Sequence, residues 1–432
     1  AAITGDDLGG LLEVVGIAGI PRSPFNLQAD IEHAMGMSQV KTLVLETADD
    51  RFSISGQIGD WPELRDTDLE ILFSGPDLQK WGSALSTELL PQSKYEVTSH
   101  ISRAGSQPVS TDTRISLGDD QIRLSGSLGK LPSMTGADLA IAIDGLVDGA
   151  LLQKLGIEGV PGRNFSLSAK VKRDISYFYL NDASFDLAEN HLELSGRTGP
   201  WPELKDANLV FSLAGPELSI WSNLLDIEDL PASTFSLSGE VSSTAAGVNL
   251  ESIKFTLADS TINLHGILGE WPGLIGTELD VEVVVPSLAG FGFIPALQEA
   301  PDLPLTADGI IGMNEAGLTF DNFRLTLDDN VLHLNGLMGL DKQFEGSNLQ
   351  TRLILPSLAR IGPLIGIEDL PDGRLSVNGN YRRVADGWEF QLANGSLAGA
   401  SFESDGSYLV LDSGVQIEAT SQVSAPDLAD WV

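Results

Sequence analysis

The sequence predicts a mostly β protein in which six units of about 70 residues follow one another, each with four or five antiparallel strands and one short helix. Three observations carry this. A glycine pair returns at one fixed interval, at Gly56/Gly59, Gly126/Gly129, Gly196/Gly199, Gly266/Gly269 and Gly336/Gly339, and Gly406 keeps its first member. A proline holds the same interval at Pro21, Pro91, Pro161, Pro231, Pro301 and Pro371, and four residues later come Phe25, Tyr95, Phe165, Phe235, Leu305 and Leu375. Between these landmarks apolar and polar residues alternate, the period-two sign of a strand with one apolar face.

The unit that begins at Gly215 gives the elements in order. Phe235-Ser236-Leu237-Ser238-Gly239 is the first strand, and Phe255-Thr256-Leu257 lies in the second. A short turn leads to Ile262-Asn263-Leu264-His265-Gly266, and Leu279, Val281 and Val283 mark the fourth strand. A fifth strand has room in residues 107–113 and their equivalents. The period then changes: Leu218, Trp221 and Leu225 are spaced as on one face of a helix, as are Leu78, Trp81 and Leu85, and Leu358, Ile361 and Ile365. Asp77 and Glu217 suit the start of such a helix, and Leu-Pro at 230–231 and 370–371 ends it. The expected units are 5–74, 75–144, 145–214, 215–284, 285–354 and 355–424, one continuous array over 1–432. The same phase of the repeat opens and closes the chain, so the array reads as a segment of a longer one.

Sixty-one acidic residues against 25 lysines and arginines give a net charge of −36. That argues strongly against nucleic-acid binding, which needs cations to neutralise phosphates, and disfavours electrostatic docking on anionic membranes. An acidic, well-hydrated exterior is the plain reading. With no cysteine, disulfides, thiolate metal sites and cysteine nucleophiles are all excluded.

Few motifs point to chemistry. The acid pairs Asp49-Asp50 and Asp119-Asp120 share their phase with Glu189-Asn190, Asp259-Ser260 and Asp329-Asn330. They fall between the second and third strands, where a hairpin needs turn residues, and lack the alternating oxygen ligands of a calcium loop. Trp61-Pro62, Trp201-Pro202 and Trp271-Pro272 follow the second glycine, and each indole is expected to pack on the next leucine, Leu64, Leu204 or Leu274. The histidines His33, His100, His191, His265 and His333 show no metal-ligand spacing. No nucleophile elbow or phosphate loop occurs, and every prominent feature recurs, so neither an enzyme, a cofactor nor a metal is expected.

The apolar stripe is the candidate site. It comprises Phe52, Ile54, Ile71, Phe73, Ile122, Leu124, Ile141, Phe165, Leu192, Leu194, Phe211, Phe235, Leu237, Leu264, Val281, Val283, Leu334 and Leu353. One helix of two or three turns cannot cover four strands. Either two parts of a curved sheet pack together, or the face stays open to a ligand.

The phrase GPELSIWSNLLDIEDLPASTFSLSG at 215–239, echoed at 75–97, 286–305 and 356–379, resembles the repeated signature of the AsmA-like family of periplasmic, bridge-like lipid transfer proteins. The resemblance covers essentially the whole chain. It implies an elongated, curved antiparallel sheet folded as a taco-like groove lined by acyl chains. It also implies a periplasmic location, a parent anchored in the inner membrane of a Gram-negative envelope, and phospholipid transport towards the outer membrane. Phospholipid or another acyl-chain lipid would then be the partner, with membranes reached through other parts of the parent. At about 4.8 Å per strand, six units would extend on the order of 110–150 Å. The competing expectation is a structural or adhesive stalk of tandem β-sandwich repeats, each with a closed core.

Overall fold

The computed structural model describes residues 1–425 except 15, 17, 35, 60–63, 86–89, 131–132, 147–163, 200–205, 226, 246, 271, 299, 342, 358, 360–372, 398 and 412–413. The chain divides into two compact units, Ala1–Thr234 and Phe235–Val432. Both are mostly β and antiparallel.

The first unit starts with β1 (Ala2–Gly5). Three sets of four strands follow: β2 (Phe25–Ala34), β3 (Met37–Thr47), β4 (Arg51–Ile58) and β5 (Thr67–Gly75); β6 (Tyr95–Arg103), β7 (Ser110–Leu117), β8 (Asp120–Ser127) and β9 (Asp138–Leu146); β10 (Asn164–Arg173), β11 (Phe178–Leu187), β12 (Asn190–Thr198) and β13 (Asn208–Gly215). Each strand pairs with its sequence neighbours, so the unit is an uninterrupted up-and-down meander.

The second unit repeats the plan. Its strands are β14 (Phe235–Thr244), β15 (Gly247–Leu257), β16 (Ser260–Leu268) and β17 (Thr277–Val285); β18 (Leu305–Asn314), β19 (Gly317–Leu327), β20 (Asn330–Met338) and β21 (Asn348–Leu355); β22 (Leu375–Val384), β23 (Gly387–Leu397), β24 (Ala400–Leu411) and β25 (Gly414–Ser424). These too pair in sequence order. No extra strand lies in 104–109, and residues 110–113 belong to β7, whose eight residues run in register with β6 and β8. Elsewhere the corresponding strands are longer and absorb the surplus as bulges, for example between Leu180 and Ala183 and between Leu250 and Ile253.

The hairpins joining second to third strands correct the expectation for the acid pairs by one residue. Leu117 pairs with Asp120 and Leu187 with Asn190, so the two-residue turns are 118–119 and 188–189. Gly118, Ala188, Ala258 and Asp328 take positive φ there, as such tight turns demand. The next residue is no longer turn but strand. Asp120 and Asn190 are 0% and 1% exposed, and they lie against Gly145 and Gly215, where any Cβ would collide with their side-chain oxygens.

Asp50 is the equivalent in the first set. Its carboxylate takes the Tyr95 hydroxyl at 3.1 Å, the Lys80 ammonium at 2.6 Å and the Thr47 hydroxyl at 3.3 Å. Burial, and next the Asp50 charge, push the Tyr95 phenol well above its ordinary pKa.

Helical segments close this end of the strands: Leu8–Val14 is a seven-residue α-helix, but the later ones start as 3₁₀ turns. Gln79–Trp81 and Leu218–Trp221 are single 3₁₀ turns, each continued by one α turn, Gly82–Leu85 and Ser222–Leu225. Leu218 and Trp221 are buried whereas Leu225 is 52% exposed, so three matching positions give only two inward side chains. In the second unit the segment is two separate 3₁₀ turns, Leu288–Phe291 and Pro295–Leu297. The helix expected from Leu358, Ile361 and Ile365 lies outside the described residues. Asp77, one residue ahead of the turn's first cap position, accepts the Gln79 N–H at 2.9 Å. Each segment, the helix Leu8–Val14 included, is tied to the chain that follows: Leu8, Leu78, Leu218 and Leu288 donate their N–H to the carbonyls of Ser23, Ser93, Ser233 and Leu303 at 2.9–3.1 Å. Beneath the segment, Leu78, Tyr95 and Leu117 form a buried cluster bordered by Phe73, Trp81, Val97, Ile115 and Ile122.

The repeated glycines govern the opposite end. Gly56, Gly126, Gly196, Gly266 and Gly336 have φ between +115° and +134°, and a Cβ on any of them would strike the carbonyl oxygen of the next strand. The second glycine of three pairs donates its N–H to a hydroxyl eight residues on: Gly59 to Thr67 at 3.0 Å, Gly269 to Thr277 and Gly339 to Ser347 at 2.9 Å. The Trp61, Trp201 and Trp271 indoles lie outside the described residues. Leu64, Met134, Leu274 and Phe344 all hold positive φ near +56°, a conformation that large side chains seldom adopt.

Candidate functional site: the apolar sheet face

Cross-strand register turns the scattered stripes into rows. In the first unit Leu27, Leu45, Phe52, Phe73, Val97, Ile115, Ile122, Ile143, Leu167, Phe185, Leu192 and Leu213 are successive partners across β2 to β13. Twelve strands thus contribute twelve apolar residues to one line. The second unit has Leu237, Phe255, Ile262, Val283, Ala307, Leu325, Leu332, Leu353 and Val377 in the same relation.

A second row lies two residues further along each strand. It contains Ile54 opposite Ile71, Leu124 opposite Ile141 and Leu194 opposite Phe211 in the first unit. Leu264 opposite Val281 and Phe323 opposite Leu334 stand in the second. On β6 and β7 this row turns polar: Ser99 and Thr113 share a 2.7 Å hydrogen bond, and Thr111 reaches Thr113 at 2.8 Å. Satisfying one another, these hydroxyls can sit on an apolar face at little cost.

Exposure decides what the face is. All twelve residues of the first row in the first unit are half-buried, and so are Ile54, Ile71, Leu124, Ile141, Leu194 and Phe211. In the second unit Leu237, Leu264, Val281, Val283, Leu334 and Leu353 are half-buried too. Residues between two packed sheets would be sealed, because side chains from both inner faces interdigitate there. These rows are instead only partly buried, although Phe73, Val97, Ile115 and Ile122 also border the closed cluster. Phe165 and Phe235 are the exceptions among the expected groove residues: each is buried, at 4% and 5% exposure, in the closed end of its strands. Phe165 belongs there because Gly145 leaves room for its ring.

The other side of the sheet is charged. Lys170 pairs with Asp182 at 3.2 Å, Lys172 with Asp138 at 3.0 Å and His100 with Asp68 at 3.0 Å. His191 bridges Asp186 at 2.6 Å and Glu193 at 3.3 Å. These hydrogen-bonded carboxylates raise both imidazole pKa values, Asp68 acting on His100, and Asp186 and then Glu193 on His191. Among the described residues no group of three or more acids and histidines has the arrangement of a metal site. No helix of the described residues is long and apolar enough to cross a membrane.

Comparison of the chain with family profiles, curated proteins and solved structures finds no match. The stripe residues are visible in the sequence. The hydroxyls of Ser99, Thr111 and Thr113 do not stand out there, although their alignment with Ala169, Asn181 and Ala183 one repeat later marks the break in apolarity.

Proposed function

We propose that the chain carries acyl-chain lipid along its apolar face, as a six-repeat segment of a bridge-like lipid transport protein of the AsmA-like kind, and that the face is the floor of a groove. The observation that supports this most is the twelve-residue row from Leu27 to Leu213, apolar throughout and half-buried throughout. A row of that length supplies lateral contact at every strand, so a chain can shift from one strand to the next without returning to water. Each methylene that leaves water for such a surface contributes about 0.8 kcal/mol. Among the described residues strands make up 65% and helical segments 7%, too little helix there to form a second covering layer. The half-buried rows also weigh against a stalk of closed sandwiches. In this reading phospholipid is the cargo, the protein is not an enzyme, and the site is periplasmic, between the membranes of a Gram-negative envelope.

The test is direct. The purified full chain is extracted with organic solvent and the extract analysed by mass spectrometry. Stoichiometric phospholipid, retained through gel filtration and reduced by Phe211→Glu or Val283→Glu, is the expected result; lipid-free protein with a face that binds no added lipid refutes the proposal.

A further inference from the structure

We propose that the open rim of the apolar face holds the phosphate of the bound lipid, through Arg173 stacked on Phe178; this rests on the acyl-chain reading above and names the polar half of the same ligand. Arg173 ends β10, and strand parity puts it on the apolar side, following Leu167, Ala169 and Val171. Its N–H donates to the Ala137 carbonyl at 3.0 Å, so the parity holds to the last residue. Phe178 is its cross-strand partner on β11, and the guanidinium carbon lies 4.6 Å from the centre of that ring. Among the described residues no carboxylate pairs with this guanidinium.

The position recurs. Arg103 ends β6 at the same phase of the preceding repeat, opposite Thr67. Arg383 holds that phase three repeats later, opposite Trp388, the equivalent of Phe178, with its guanidinium carbon 5.9 Å from the ring. Arg383 is further held by carbonyls, donating to Val384 O at 2.7 Å and also to Gly387 and Gln343. His33, Ser243 and Met313 complete the six positions. With 25 lysines and arginines in 432 residues, six positions drawn at that rate would hold fewer than one, yet this set holds three arginines.

A cation on an apolar face is costly unless its head reaches water or meets an anion. Stacking on an aromatic ring fixes the guanidinium plane and leaves its fork of donors for paired oxygens, the geometry that phosphate offers. The reach is right as well. From Arg173 to Leu167 is six residues, about 20 Å of strand. One leaflet of hydrocarbon is about 15 Å deep, half of a ~30 Å core. A lipid with its phosphate at Arg173 therefore lays its chains over Val171, Ala169 and Leu167, towards the closed end.

The experiment measures binding of dioleoylphosphatidylglycerol and of dioleoylglycerol, which has the same chains and no phosphate, to the full chain and to R103Q/R173Q. The unmodified chain is expected to prefer the phospholipid about tenfold. The double variant should lose most of that preference while binding dioleoylglycerol as before, with an unchanged circular dichroism spectrum, and Arg173→Lys should keep part of it. Unchanged preference in R103Q/R173Q, or displacement of the phospholipid by millimolar inorganic phosphate alone, overturns the assignment to a headgroup and leaves the acyl-chain reading standing. Failure of the unmodified chain to bind either lipid overturns both.

Discussion

Phe52 on β4 and Phe73 on β5 meet edge to face across the sheet with ring centroids 6.0 Å apart, and both remain half-buried. Phe73 also touches Trp81 at 4.9 Å and Tyr95 at 4.8 Å. It is therefore the junction between two regimes. On one side lies a closed cluster under a helical turn; on the other, a row whose residues stay only partly buried.

That division predicts unequal costs for similar truncations. Leu187, 1% exposed, belongs to the closed end, so Leu187→Ala should cost about 2–5 kcal/mol. Leu192 is half-buried, and Leu192→Ala should cost about 1 kcal/mol, since only part of its surface leaves water on folding. Urea unfolding of the lipid-free protein measures both. Equal losses would mean that the row is sealed.

Gly196 makes a sharper backbone prediction. Its φ is +134°, and an added Cβ would collide with the Asn208 carbonyl on β13. Gly196→Ala should lower stability by about 1–3 kcal/mol or more and speed exchange of the β12–β13 amide protons, as hydrogen exchange can report. Gly16, with positive φ but open space around it, provides a control in which the steric part is absent.

Asp50 holds two donors from different elements, the Lys80 ammonium and the Tyr95 hydroxyl. Asp50→Ala should cost about 3 kcal/mol, because it leaves a partly buried ammonium and a buried hydroxyl without their acceptor. Tyr95→Phe removes one hydrogen bond and should cost about 1 kcal/mol. A double-mutant cycle between the two should show coupling; strict additivity would mean that the contact carries no energy.

The two paired histidines predict a shallow pH dependence. Both fold with pKa values above the ordinary 6.5, so their stabilisation is complete below 6.5 and fades as pH rises through the raised values. Both side chains are more than 40% exposed, which solvent screening limits to a few tenths of a kcal/mol each. H100Q/H191Q should flatten that part of the stability profile above pH 6, and 1 M salt should do the same. An unaltered profile in the variant contradicts the pairing.

Much of this was legible in the sequence because alternation is local. Phe235-Ser236-Leu237 and Ile262-Asn263-Leu264 declare both the strand and the face, and the register that aligns them follows from two-residue turns. What stayed hidden depends on partners far along the chain. Asp120 and Asn190 look like turn residues until the pairing of Leu117 and Leu187 moves the turn one place back and leaves them buried. Leu225 fits a helical stripe, yet it is the last residue of a segment made of one 3₁₀ and one α turn, and it stands exposed. Arg173 escapes a reading by alternation because charged residues ordinarily mark the polar face. Only the extension of β10 to its last residue shows which side it occupies.

The central claim is that one face of the sheet, and not the other, contacts lipid, and neighbouring residues of a single strand can decide it. A photoreactive phenylalanine analogue is placed in turn at Leu192, on the half-buried apolar row, and at Glu193, on the charged face, and the protein is irradiated with bound phospholipid. Crosslinked lipid from position 192 and none from 193 is the result this account predicts; equal labelling, or labelling from 193 alone, contradicts it.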